Sequence, residues 1–423
     1  MKKILILLTL ILSINLYADV DIIAGQEALP LIGVSYQNKE NINNNTFKKS
    51  LNYYLNIIPY FKILPETLSK NIKDGEKIVN IKFDKWRDLK VEYLFKIKIT
   101  EIKEKLTVKA IIYSPVEEKQ IWGKEYSDYK TNIHELAGFI ANDIYSFFSA
   151  GKKGLFLTKI VYAKKVKGKK QIFIMNIDNS KKQPITKNRA INMLPSWAGR
   201  TKILFTSYLR GNTDLYMRDL SSGKLISISS RSGLNTGGVL SPDGKTIALT
   251  LSKDGNSEIY LINSKTGKIV KRLTKNSALD TSPSWSPDGK QIAFVSNRGG
   301  NPHIYIMNSD GTEQKRITFQ GTYNQTPKWS PKGDRILFTA RDERNKFDIF
   351  YIDLSDENKI TRLTQDNGNN EEPSWSPDGE FIVFLSSRSK RYQIYIMDKD
   401  ANKIIRVTND KKRYYTPKWS PYK

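Results

Sequence analysis

A short element built around tryptophan recurs through the later part of the chain, and it limits the fold more than any other feature. It reads Pro195-Ser196-Trp197, Pro283-Ser284-Trp285-Ser286-Pro287-Asp288-Gly289, Pro327-Lys328-Trp329-Ser330-Pro331-Lys332-Gly333, Pro373-Ser374-Trp375-Ser376-Pro377-Asp378-Gly379 and Pro417-Lys418-Trp419-Ser420-Pro421, with a weaker copy at Leu240-Ser241-Pro242-Asp243-Gly244. The anchors fall at 197, 240, 285, 329, 375 and 419, spaced 43 to 46 residues apart. That is the period of a four-stranded propeller blade. A second marker keeps step: Phe173, Tyr216, Tyr260, Tyr305, Phe350 and Tyr395 each sit in a short apolar run. A third follows 13 or 14 residues later, at Thr186, Ser229, Thr274, Thr318, Thr364 and Thr408. Three markers sharing one phase predict six blades.

One unit shows the local logic. Ser284 to Ser286 reads as an inner strand and Ser286-Pro287-Asp288-Gly289 as a tight turn, with Pro fixing φ and Gly accepting the positive φ that closes it. Gln291 to Asn297 follows as a second strand with both faces mostly apolar, as a sheet packed between neighbouring blades requires, and His303 to Asn308 and Gln314 to Thr318 follow as the third and outer strands. The first aromatic strand, at Phe173, precedes every anchor, and no strand follows Trp419. The chain therefore starts mid-blade, and Pro417 to Pro421 must complete the first blade and close the ring.

Before the repeats, residues 1–18 read as an export signal. Lys2 and Lys3 precede the apolar run Ile4 to Leu12, and Leu16-Tyr17-Ala18 offers a cleavage point after Ala18. The run is well short of the ~20 residues of a spanning helix. With no Cys there is no lipobox, disulfide or thiolate metal site. The expectation is an exported, soluble mature protein.

Residues 19–150 read as a small α/β domain. Leu31 to Tyr36 predicts a strand and Asn45 to Ile58 a helix; Val91 to Ile99 alternates and pairs with Leu106 to Tyr113. Ile133 to Phe148 predicts a helix capped by Thr131 or Asn132. Residues 149–154 read as a linker, and 154–423 as the propeller. The fold class is thus mixed: a small N-terminal α/β domain, then an all-β six-bladed propeller closed by the C-terminal strand.

The chemistry of many enzymes is missing. The two histidines, His134 and His303, fall in different domains, so a multi-His metal site is not expected. The sialidase turn Ser-x-Asp-x-Gly-x-Thr-Trp is absent because Gly follows Asp directly, and no Gly-x-Ser-x-Gly elbow opens a helix. The net charge of +26 is scattered along the chain, which argues against nucleic acid as a partner. No catalytic residue, cofactor or metal is expected.

The order of a signal segment, a small α/β domain, the stretch Gly154-Leu155-Phe156-Leu157-Thr158-Lys159-Ile160-Val161-Tyr162, six Pro-Ser-Trp-Ser-Pro-Asp-Gly-type repeats and the terminal Trp419-Ser420-Pro421-Tyr422 resembles the TolB-like six-bladed propeller family. The resemblance is weakest over residues 37–90. It implies a non-enzymatic periplasmic scaffold of the Tol–Pal system, monomeric and peripheral to the outer membrane at most, which supports outer-membrane integrity and envelope constriction in cell division. It implies a peptidoglycan-associated lipoprotein docked at the channel mouth, at positions matching Leu234, Gly237 and Thr281. Neighbours expected on the same face are Asn192, Asn235, Asp280, Asn324, Gln325, Asn370 and Glu371. It also implies an inner-membrane TolA-like partner that takes Asp19, Val20, Asp21, Ile22 and Ile23, whose alternation suits strand addition. Asp21 stands where the family often has a basic residue.

Two other function classes fit a propeller. One is a hydrolase or lactonase with a carboxylate-bound cation in the channel, for which Glu371 and Glu372 are the candidate ligands. The other is a polyanion or glycan binder, whose affinity would fall steeply with salt.

Overall fold

The computed structural model describes residues 29–37, 42–74, 78–341, 343–365 and 368–422. Six four-stranded antiparallel sheets form a propeller, and a five-stranded sheet precedes it. The first blade is built from Tyr414–Trp419, Lys159–Val166, Lys169–Asn176 and Gln183–Pro184. Tyr414 to Trp419 therefore closes the ring as its inner strand, pairing Tyr414 with Lys164 and Trp419 with Ile160.

The inner strands begin earlier than the turn chemistry suggests. They span Asn192–Trp197, Asn235–Leu240, Asp280–Trp285, Asn324–Trp329, Asn370–Trp375 and Tyr414–Trp419. Each carries a bulge where its register to the second strand slips. At the third residue φ is positive in all six: Leu194, Gly237, Ser282, Thr326, Glu372 and Thr416. Only one is glycine. Five side-chain-bearing residues in this region are a repeated local strain, held by the ladder on either side. The bulge turns the strand against the narrow axis of the ring, and it separates the strand's first two residues from its Trp anchor.

The second and third strands carry the cores. In blade 6 all six residues of Phe381–Ser386 and all six of Gln393–Asp398 are buried. Fully burying each large apolar side chain of this kind contributes about 1.5–3 kcal/mol.

In the N-terminal unit the sheet order is Lys62–Ile63, Leu31–Gln37, Tyr93–Ile102, Lys105–Ser114, Lys119–Tyr129. The first three strands run parallel and the rest antiparallel. Helices Ile42–Ile57 and Ile133–Phe148 bury Phe47, Leu51, Tyr54, Leu136, Ile140 and Ile144 against this sheet. Asn132 stands at the cap position of the second helix, but its side chain donates to Asp128 Oδ1 at 3.0 Å and makes no cap bond. The strand Lys119–Tyr129 is not apparent from apolar alternation because most of its residues are polar and half-exposed or exposed.

Residues 149–154 are docked rather than a loose tether. Gly151 closes the helix end at φ 87, its N–H bonding Ser146 O at 2.8 Å. A Cβ on Gly154 would lie 2.5 Å from Asn142 Cα. Asn142 Oδ1 accepts the Phe156 N–H at 2.8 Å, and Leu155 and Phe156 are buried in one continuous apolar cluster with Tyr145, Phe381 and Trp419. The N-terminal unit and the propeller thus share a core. Among the described residues no helix is long and apolar enough to cross a membrane.

Candidate functional site

Strand direction gives the ring two unlike faces. Inner strands start on one, here the loop face, together with the loops between second and third strands. They end on the other, the turn face, at the Ser-Pro-Asp-Gly turns. The N-terminal unit sits against the turn face of blades 1 and 6. Tyr145 donates to Asp378 at 3.2 Å, Lys403 Nζ to Ile58 O at 2.8 Å, and His134 Nδ1 lies 2.8 Å from Asp178 Oδ2. Burial works to raise the Asp178 carboxyl, but hydrogen bonds from His134, Ser180 and Ser50 outweigh it and hold the group low. His134 is therefore a junction residue. The described residues of the N-terminal unit make these contacts on the turn face and not on the loop face.

On the loop face the sequence-predicted residues divide into two sets. Asn192, Asn235, Asp280, Asn324 and Asn370 are 0–1% exposed and do not form a rim. They are the first residues of the inner strands, and they bind the preceding blade. Gln171 Oε1 accepts from Thr186 Oγ1 at 2.8 Å and from Asn192 Nδ2 at 3.1 Å. Asp348 Oδ1 accepts from Thr364 Oγ1 at 2.7 Å and from Asn370 Nδ2 at 2.8 Å. His303 Nδ1 lies 2.9 Å from Asn324 Nδ2 and 3.3 Å from Thr318 Oγ1, and burial and then Arg316 push its pKa down. Asp280 takes Asn276 Nδ2, from the end of the preceding blade, at 2.8 Å and Arg298 Nη2 of its own blade at 2.7 Å, and Asn235 takes Ser229 Oγ at 2.5 Å. The Thr marker of the repeat also accepts the N–H of Ile172, Ile259, Ile304, Ile349 or Ile394 at 2.9–3.0 Å. These buried polar clusters join outer strand, third strand and the next blade. Polar residues at loop positions looked available to a partner because the sequence hides that the strand has already begun.

Leu234, Gly237, Thr281, Gln325 and Glu371 remain accessible or half-buried at the mouth. The residue before each buried inner-strand start is apolar in four successive blades: Ile191, Leu234, Leu279 and Tyr323. Leu234 is 40% and Leu279 49% exposed, and Phe319, at 72%, and Leu209, at 42%, extend the same face. Leu279, Phe319 and Leu209 are missing from the sequence-predicted set. The signal for Leu279 is a large apolar residue just before the inner strand, repeated in four of the six blades.

The tunnel holds two cavities. Towards the loop face one of about 270 Å³ is lined by Lys170, Met193, Leu194, Glu371, Glu372, Tyr392 and Arg413 among others. Burial raises the Glu371 pKa, against the Tyr392 hydroxyl, which donates to its Oε1. Burial lowers Lys170, with Arg413 adding repulsion. Towards the turn face a cavity of about 460 Å³ takes lining residues from all six blades, including Trp197, Trp285, Trp329, Trp375 and Trp419. Lys418 Nζ reaches Glu372 Oε2 at 3.3 Å. Lys328 is held by burial, and then by Lys418, at a pKa of about 7.

Both candidate carboxylates are thus engaged, Glu371 by Tyr392 and Glu372 by Lys418, and basic residues stand beside them. Among the described residues no group of three or more His, Asp or Glu is arranged to hold a metal ion. The arrangement does not favour a cation-dependent hydrolase. Asp19, Val20, Asp21, Ile22 and Ile23, with the export signal, lie outside the described residues.

The family model described as TolB beta propeller domain matches residues 149–356 and 343–423. The Tol-Pal system protein TolB of Desulfosudis oleivorans is 32% identical over 220 residues, 51% of this chain and 50% of that protein. The protein of the same name from Francisella tularensis subsp. mediasiatica is 27% identical over 295 residues, 65% of each chain. The chain thus aligns with about half to 65% of the length of these curated relatives. The crystal structure of TolB from Acinetobacter baumannii superposes with a TM-score of 0.82 at 25% identity, covering 94% of this chain and 98% of that one.

Proposed function

The chain belongs to the TolB β-propeller family, and from that premise we propose that it is a non-enzymatic periplasmic scaffold of the Tol–Pal system. It holds the folded domain of a peptidoglycan-associated lipoprotein on the loop face. It engages an inner-membrane TolA-like protein through residues 19–23. By joining the two it supports outer-membrane integrity and constriction at division.

The carrying observation is the loop face itself. Leu234, Leu279 and Phe319 expose apolar surface around a polar tunnel mouth, on the face opposite the one that the described N-terminal residues contact. Apolar residues clustered within a polar surround are the usual make-up of a protein-binding patch. Thr281, Gln325 and Glu371 supply hydrogen-bonding groups between them and the axis. Asn192, Asn235, Asp280, Asn324 and Asn370 contribute by holding the strand starts in place.

The test is calorimetry of the mature protein with the soluble domain of the organism's peptidoglycan-associated lipoprotein. Saturable one-to-one binding supports the reading. No heat of binding from folded components at low salt overturns it.

A further inference from the structure

The turn-face half of the tunnel has a composition that docking on the loop face does not use. Its lining contains two lysines, Lys328 and Lys418, and no Asp or Glu. The residue before the anchor runs around the ring as Lys418, Ser196, Val239, Ser284, Lys328, Ser374. Blades meet here by alternating bonds. Trp197, Trp285 and Trp375 donate their indole N–H to Lys418 O, Val239 O and Lys328 O at 3.2–3.3 Å. At the three junctions between these, the serines serve. Ser196 Oγ donates to Gly238 O at 2.6 Å, while Ser284 Oγ and Ser374 Oγ accept the N–H of Trp329 and Trp419 at 3.1 and 3.2 Å.

This leaves an uneven distribution of donors. Ser196 spends its proton within the protein. The hydroxyl protons of Ser284 and Ser374 are not used by the bonds those oxygens make. Lys418 is paired with Glu372, and among the described residues the Lys328 ammonium is in no hydrogen bond or ion pair, with Lys418 and Glu372 the charges that act on it. Ser284, Lys328, Ser374 and Lys418 come from four consecutive blades, so donors occupy one arc of the cavity. The opposite arc, with Val239 and Leu240, is apolar.

We propose that this cavity binds a small oxyanion, a phosphate or a short carboxylate, between the Lys328 and Lys418 ammonium groups, with the Ser284 and Ser374 hydroxyls as further donors. Charge-assisted bonds are the strong kind. A volume of about 460 Å³ accommodates such an ion. The charged groups facing Lys328 are Lys418 and Glu372, and the low Lys328 pKa makes proton uptake accompany binding above neutrality.

The experiment uses the mature chain in a chloride buffer at pH 6.5, with sodium chloride replaced by sodium phosphate or by succinate at constant ionic strength. The lining tryptophans provide a fluorescence signal. A saturable change is expected with either anion, with affinity at least tenfold weaker in Lys328→Met and a few-fold weaker in Ser374→Ala. Lys245→Met, which removes an exposed charge outside the tunnel, is expected to bind as the parent does. Succinate affinity is expected to fall between pH 6.5 and 8.5 in the parent, with the fall absent in Lys328→Met. Absence of saturation in the parent, or equal affinity in the folded Lys328→Met and parent proteins, overturns the proposal. Lipoprotein docking is measured separately, so either idea can fail alone.

Discussion

Trp419 donates its indole N–H to the Thr158 hydroxyl at 2.8 Å, joining positions 261 residues apart. The contact sits inside a three-part lock. Lys159 N donates to Ser420 Oγ at 2.9 Å, and Ser420 N to Lys159 O at 2.8 Å. Phe381 and Trp419 rings lie 6.3 Å apart, and Tyr145 of the N-terminal unit reaches the same Phe381. Ring closure and docking of the N-terminal unit are therefore one cluster.

That coupling makes the C-terminus matter far beyond its length. Trp419→Ala is expected to cost about 3–5 kcal/mol, the range for a buried large aromatic. Deleting residues 416–423 should lower the midpoint of denaturant unfolding for the N-terminal and propeller signals together. Tryptophan fluorescence and far-UV circular dichroism measure both.

Thr364 tests the buried junctions. Its hydroxyl accepts the Ile349 N–H at 3.0 Å and donates to Asp348 Oδ1 at 2.7 Å. Thr364→Val keeps the shape and removes both bonds. A loss of about 1–3 kcal/mol is expected, since the buried N–H and part of the carboxylate are left without partners. Chemical denaturation of the variant gives the value.

Lys328 and Lys403 set a pH dependence. Burial lowers them from the ordinary 10.5 to about 7 and about 8. Between those values and 10.5 the unfolded chain binds more protons than the folded one, so stability rises with pH across that window. The penalty for charging them in the fold is fully present below about 7. Unfolding midpoints measured from pH 7 to 9.5 should climb less steeply in Lys328→Met than in the parent.

Much of the architecture is legible in the chain. The in-phase Trp, Tyr/Phe and Thr markers give six blades, and the expected closure is the pairing of Tyr414–Trp419 with Lys159–Val166. The loop-face details are hidden for a physical reason. Asn192, Asp280 and Asn370 are common loop residues, yet each is buried as the first residue of a strand, where Gln171, Arg298 and Asp348 respectively hydrogen-bond it. The bulges at Leu194, Ser282, Thr326, Glu372 and Thr416 carry no glycine signal, so nothing local announces the positive φ. Lys328 and Lys418 occupy a position where Ser or Val stands in other blades. Only the ring brings them to one cavity.

Leu234→Asp and Leu279→Asp separate docking from folding. Both side chains are exposed, at 40% and 49%, so each change should alter stability by no more than about 0.5 kcal/mol. Lipoprotein-domain affinity is expected to fall at least tenfold in either variant, as for truncation of a central apolar contact. Calorimetry checks both quantities.

On the proposed reading the loop face receives a folded partner protein. Hydrogen exchange of the mature chain, with and without the lipoprotein domain, measures this directly. Slowed exchange is predicted at 208–213, 233–237, 278–282 and 319–325, with the turns at 286–289 and 376–379 unchanged. Protection confined to those turns, or no protection anywhere in a saturated mixture, would contradict it.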